Sequence, residues 1–162
     1  MLKKILLFLL VVLVIIQFIH PAKNKAEGLQ PNFIGNIHAI PDDVKPILSK
    51  ACLDCHSNNT KYPWYAKIQP VDWWMDNHVK DGKKGVNFDE YTNRSLRYQY
   101  HKMEEVIEQV KKGEMPLNSY TWIHKEAILT DAEKNKIIDW AGGVMKTMEA
   151  QYPIDSLKRP KK

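Results

Sequence analysis

The sequence is short of the residues on which several protein classes depend. It holds only two cysteines, which excludes a multi-disulfide framework and a four-thiolate zinc site. No H-E-x-x-H, no nucleophile elbow and no Gly-rich phosphate loop occurs, so hydrolase and nucleotide chemistry have no residues to carry them. Convincing apolar/polar alternation is missing, which argues against strands, and there is no internal repeat. Basic residues outnumber acidic ones by 24 to 19, but they are dispersed. Without a clustered basic face, nucleic acid is not an expected partner.

One long apolar run stands at the front. Lys3 and Lys4 precede Ile5 to Ile19, which only Gln17 interrupts. Charge followed by an apolar run is the order of an export signal. The run is shorter than the roughly 20 residues of a full span, though it can cross if its ends snorkel. Ile19-His20-Pro21-Ala22 is a poor cleavage site, so an uncleaved signal-anchor over 1–20 is the first reading and a cleaved signal peptide the second. Either exports the rest of the chain, because positive charge holds the N-terminus inside.

Segment 21–40 is polar and broken by proline and glycine, and reads as a linker holding the domain away from the membrane. From 41 to 150 the pattern is helical. Val44, Ile47, Leu48 and Ala51 are spaced as one helix face running from Asp42 towards the cysteines. A short helix is expected over Val71–Lys80, stopping at Gly82. Asn87-Phe-Asp-Glu90 looks like a helix N-cap with its acid. Leu96, Tyr100, Met103, Ile107 and Val110 mark a helix over Arg94–Lys112 that ends at Gly113. Thr130-Asp-Ala-Glu133 is a capping box for a last helix with Ile137, Ile138, Trp140, Val144 and Met148 inward. Within it, Gly142-Gly143 either weakens the helix or permits close packing. Residues 151–162 read as a solvated basic tail. The expected fold class is all-α, a bundle of four to five helices behind an N-terminal hydrophobic helix.

Cys52-Leu-Asp-Cys-His56 is C-x-x-C-H, the attachment signature of haem c. Thiols one turn apart can each add to a vinyl group along one porphyrin edge, and the next residue brings an imidazole beneath the iron. A zinc site, a redox dithiol and an ordinary disulfide are the competing readings. For the second axial position the leading candidate is Met115 in Gly113-Glu-Met-Pro116, since it follows a helix stop on a loop stiffened by Pro116. His20, His78, His101 and His124 are alternatives, as is an open iron. Met75 and Met103 read as packing residues. Of the aromatics, Trp64 and Tyr65 are candidates for a haem wall, whereas Trp140 reads as core.

Together with Cys52-Leu-Asp-Cys-His-Ser-Asn-Asn-Thr60, the order Tyr62-Pro-Trp-Tyr65, Pro70, His78, Asn87-Phe88, Gly113-Glu-Met-Pro116, Tyr120, His124 and Trp140 resembles the bacterial haem-binding domain family. These are small exported single-haem proteins related to class I cytochromes c, and the likeness runs from about Pro41 to Met148. It implies a cytochrome c-like fold around one covalent haem, with Cys52 and Cys55 as thioether residues, His56 as proximal and Met115 as distal ligand. The function so expected is that of a non-enzymatic electron carrier on the periplasmic side of the cytoplasmic membrane, serving redox partner proteins at that surface. A haem peroxidase, or a gas or redox sensor with an exchangeable distal position, is the alternative.

Overall fold

A computed structural model describes residues 1–158, and these are helical, with only two isolated β-bridges among them, Lys25 to Asn59 and Asn32 to Glu90. The helices are α1 (Leu2–Ile16), α2 (Lys45–Ala51), α3 (Leu53–His56), α4 (Val71–Gly85), α5 (Leu96–Lys112), α6 (Asn118–Thr121), α7 (Asp131–Gln151) and α8 (Ile154–Leu157).

The two longest core helices start and stop where their sequences dictate. Ser95 caps α5 by accepting from the Tyr98 N–H at 3.3 Å, and Gly113 ends it in the left-handed region at φ 71°. At α7, Thr130 Oγ1 accepts from the Glu133 N–H while the Glu133 carboxylate accepts from the Thr130 N–H at 2.9 Å. Tyr100, Met103 and Val110 of α5 meet Ile137, Trp140, Ala141, Val144 and Met148 of α7 in the core. Helical spacing puts each set on one face, and burial of those faces outweighs the ~1 kcal/mol that a cap contributes.

Some expectations are corrected. The helix expected from Asp42 starts at Lys45 and is interrupted at Cys52, whose backbone leaves helical geometry before α3 begins. The helix α4 runs on through Gly82 to Gly85. No helix begins at Asn87: its side-chain oxygen accepts from the Asp89 N–H at 3.1 Å, so the same residue types close a turn. Gly142 and Gly143 neither break α7 nor admit a neighbour, since a Cβ at either meets nothing within 4 Å. Three single-turn helices, α3, α6 and α8, raise the number above the four or five expected.

Segment 21–40 lies along the domain. Ile34 and His38 are buried, and the Ile34 N–H donates to the Phe88 carbonyl at 2.8 Å. Upstream, Gln69 Nε2 donates to the Ile19 carbonyl at 2.6 Å, and Asp72 accepts from His20 at 2.7 Å and Lys23 at 2.5 Å. At the other end, Leu157 of α8 is buried, while Arg159 to Lys162 of the basic tail lie outside the described residues. The helix α1 has no buried residue, and no helix among the described residues is long and apolar enough to cross a membrane.

Candidate functional site

The helix α3 is a single turn in which the Cys52 carbonyl accepts from the N–H groups of both Cys55, at 3.2 Å, and His56, at 3.0 Å. It is held against α4 by the absence of a side chain. At Gly82 a Cβ would stand 2.9 Å from the Cys55 carbonyl oxygen and 3.0 Å from the Cys55 Cβ. The glycine therefore sets how closely the two helices approach.

Between these helices and the chain after α5 lies a cleft of about 350 Å³. Cys52, Cys55 and His56 line one side, Met115, Pro116 and Leu117 another, and His78 and Tyr120 complete it. The structure thus gathers the two thiols, the imidazole and the thioether singled out from the sequence around one space. Trp64 does not line the cleft and is 75% exposed. Tyr65 lines a second cavity, of about 50 Å³, which shares Asp54, Cys55, His78, Leu117 and Tyr120 with the cleft. Met103 is fully buried in the core, and His101 is exposed beside Glu104 and Glu105.

The imidazole of His56 is fixed by hydrogen bonding. Its Nδ1 lies 2.9 Å from the Val86 carbonyl, which can only accept, so Nδ1 carries the proton and Nε2 the lone pair. Phe88 reinforces the placement: its N–H donates to the His56 carbonyl at 2.8 Å and its ring meets the imidazole edge-on. Burial pushes the His56 pKa down, against the smaller opposing effect of its backbone hydrogen bonds to Val86 and Gly82. Burial pushes the Cys52 thiol up to about 12, with Cys55 adding to the effect. The Cys55 thiol rises to about 11, through burial and then the Asp54 carboxylate. Neutral thiols and a neutral imidazole are what a dry, low-dielectric cleft favours.

Asp54, which the C-x-x-C-H pattern leaves unspecified, organises the surroundings. Its Oδ2 accepts from the Tyr120 hydroxyl at 2.7 Å and its Oδ1 from the Lys61 N–H at 3.0 Å. Tyr120 in turn stacks on His124, their centroids 4.2 Å apart. His124 Nε2 lies 2.8 Å from the Tyr65 hydroxyl, and its Nδ1 is 3.2 Å from Glu126. His78 Nδ1 donates to the Trp74 carbonyl at 2.8 Å, one turn back on α4. Nothing in the sequence announced the Val86 carbonyl, the Tyr120–Asp54 bond or the role of Gly82. An acid between the two cysteines was the one visible trace of them.

The geometry defines a helical domain with a cleft lined by two thiols, an imidazole and a thioether, the donor set of a haem-holding protein. A family model described as a haem-binding domain matches residues 11–142, and the chain belongs to that family. The match begins inside α1, well before Pro41, as the buried Ile34 and the bonds of residues 19–23 would have it. No curated protein and no solved structure matches the chain.

The residues present fit the group the family implies. Cys52 and Cys55 are not joined to each other, and both reach the cleft beside His56. The His56 tautomer is the one a metal ligand needs, with its other nitrogen tied to a carbonyl. No cluster of three or more His, Cys, Asp or Glu side chains able to hold a metal ion forms among the described residues.

Proposed function

We propose that this haem-binding protein is a cytochrome c-like electron carrier with one haem c, held outside the cytoplasmic membrane by its N-terminal helix. One observation carries the reading: Cys52, Cys55 and His56 from one stretch of chain and Met115 from another, 59 residues beyond His56, line a single cleft. There Cys52 and Cys55 would hold the haem through two thioethers, and His56 Nε2 and Met115 Sδ would hold its iron. Bound there, the iron would take up and release a single electron. The chain's own part is to keep both ligands neutral and in place. The Val86 carbonyl orients His56, Pro116 limits the Met115 loop, and partial burial keeps the two thiols protonated at the edge of the cleft. A rigidly held site would reorganise little on electron transfer, which suits a carrier working with redox partner proteins at the membrane.

Retention of the N-terminus is supported by what its last residues bind. Gln69 and Asp72 are buried, and their side chains are satisfied by the Ile19 carbonyl, His20 and Lys23. Cleavage near residue 20 would leave the Gln69 donor without its partner, an unfavourable outcome for a buried amide. The helix α1 is about 22 Å long, shorter than the hydrocarbon core, so anchoring by it calls for local thinning of the bilayer.

The reading is tested by expressing the full chain in a host with export and haem-ligation machinery, then denaturing it and extracting with acid–acetone. Pigment that stays with the polypeptide, with the pyridine haemochrome of a doubly saturated porphyrin, is expected. Pigment that is extracted overturns covalent attachment.

A second reading has one observation in its favour. His78 lines the same cleft with Nδ1 engaged at Trp74, leaving Nε2 as its lone-pair nitrogen. If Met115 leaves the distal position open, His78 would be the acid–base group of a peroxidase or the gate of a gas or redox sensor. Rapid binding of cyanide or carbon monoxide without loss of a protein ligand would favour it over the carrier.

A further inference from the structure

Two tryptophans outside the cleft are largely exposed. Trp64 and Trp122 are 75% and 71% exposed, and Ile68 and Ile123 are also open to solvent. Trp64 meets Tyr65 edge-on at 5.8 Å, and Tyr65, Trp74, Leu117 and Ile123 line one small cavity. Apolar residues thus connect the 3-10 turn Trp64–Lys67, through Tyr65, to Leu117, which also lines the cleft. Exposed faces of this kind mark contact with a partner or a lipid surface.

What covers it is indicated by the other end. The apolar α1 runs into Gln17, whose side chain pairs with the backbone of Gln69: Oε1 accepts from its N–H at 3.0 Å and Nε2 donates to its carbonyl at 3.3 Å. Ile19 is bonded to Gln69, Lys23 reaches the Ala66 carbonyl at 3.0 Å, and Asp72 takes His20 and Lys23. Residues 17–23 are therefore fastened to residues 66–72, next to Ile68 and Trp64, with no slack between helix and domain. If α1 enters a bilayer, these bonds bring the start of α4 to the lipid boundary. An exposed Trp64 flanked by the exposed Lys61 and Lys67 matches the chemistry of that boundary, where indole rings sit at headgroup level and lysines meet lipid phosphate.

We infer that the exposed Trp64 and Ile68 seat the domain on the membrane surface, with the mouth of the haem cleft beside the headgroups. This rests on the reading of α1 as membrane-inserted. The domain would then be oriented, and electron exchange would take place along the bilayer plane.

The test adds haem-loaded full-length protein to preformed vesicles containing anionic lipid and measures thiol modification by a charged, water-soluble maleimide. Single variants are Leu9→Cys in α1, Trp64→Cys and Ile68→Cys on the face, and Asp131→Cys at the start of α7. Rates are normalised to each variant in denaturant and repeated in detergent micelles. The expected result is an unreactive Leu9→Cys in vesicles. The two face positions should be slowed ten-fold or more relative to Asp131→Cys in vesicles and react like it in micelles. An unreactive Leu9→Cys with fast face positions overturns the seating and leaves the tether standing, the face then being free for a protein partner. Face positions slow in micelles too also overturn it, because the protection would come from the protein. A reactive Leu9→Cys overturns the tether and the seating together.

Discussion

The hydroxyl of Tyr120 donates to Asp54 Oδ2 at 2.7 Å, linking α6, just beyond Met115 and Pro116, to the residue between the two cysteines. One side-chain bond thus spans the two sides of the cleft. Burial, and then the Asp54 carboxylate, hold the Tyr120 phenol well above its ordinary pKa, so it stays a donor throughout the neutral range. A hydrogen bond to a charged acceptor contributes about 1.5–3 kcal/mol.

Tyr120→Phe should therefore lower the unfolding free energy of the haem-loaded protein by about 2 kcal/mol in a denaturant titration. It should also weaken any methionine–iron absorption, because the Met115 loop loses its tie to α3. Unchanged stability and an unchanged spectrum together would remove the bond from a clasping role.

At Met115 itself the expectation is spectroscopic. Met115→Ala should abolish the methionine–iron charge-transfer band and lower the reduction potential, since a thioether opposite imidazole favours ferrous iron. A spectrum identical to the parent's assigns the distal position to another residue, with His78 the first to substitute because it lines the same cleft.

Two glycines make opposite predictions. In a helix, Gly→Ala ordinarily stabilises by about 1 kcal/mol. Gly143→Ala should do so, because its Cβ meets nothing within 4 Å. Gly82→Ala should instead destabilise by about 1–3 kcal/mol and reduce haem incorporation, because its Cβ would press on the Cys55 backbone and separate α3 from α4. Thermal or denaturant unfolding of the pair, with pigment yield per chain, decides it.

The bonds at Asp72 give a pH signature. Burial raises its pKa, but the hydrogen bonds from Lys23 and His20 outweigh that and hold the carboxyl below its ordinary value. A depressed folded pKa means stability that is present above the unfolded value, ~3.9, and is lost as pH falls through the lower folded value. The parent should therefore lose unfolding free energy below about pH 4 more steeply than Asp72→Asn. Parallel curves would show that the Asp72 cluster is not coupled to folding.

Much of the helical layout could be read from residue order. Thr130 with Glu133, and Gly113 after Val110, act within a turn or two of chain, and their geometry follows from local hydrogen bonding. Asn87 misled because the side chain that caps a helix closes a turn equally well, and packing of Phe88 and Tyr91 into the core chose the turn. Trp64 is a candidate for a cofactor wall in the sequence because composition shows that an aromatic is present but not which way it faces. The same limit applied to residues 21–40, whose prolines and glycines suggested a spacer until Ile34 was found buried.

The sequence by itself determined the helical class and the adjacency of Cys52, Cys55 and His56, because periodicity, caps and the C-x-x-C-H spacing act over a few residues. Only the tertiary structure decided that Met115 shares their cleft, that Val86 sets the His56 tautomer, that Gly82 admits Cys55 and that residues 17–23 grip the start of α4. Each of these joins stretches of chain far apart in sequence, and such contacts are set by how whole helix faces pack rather than by the preferences of any one segment.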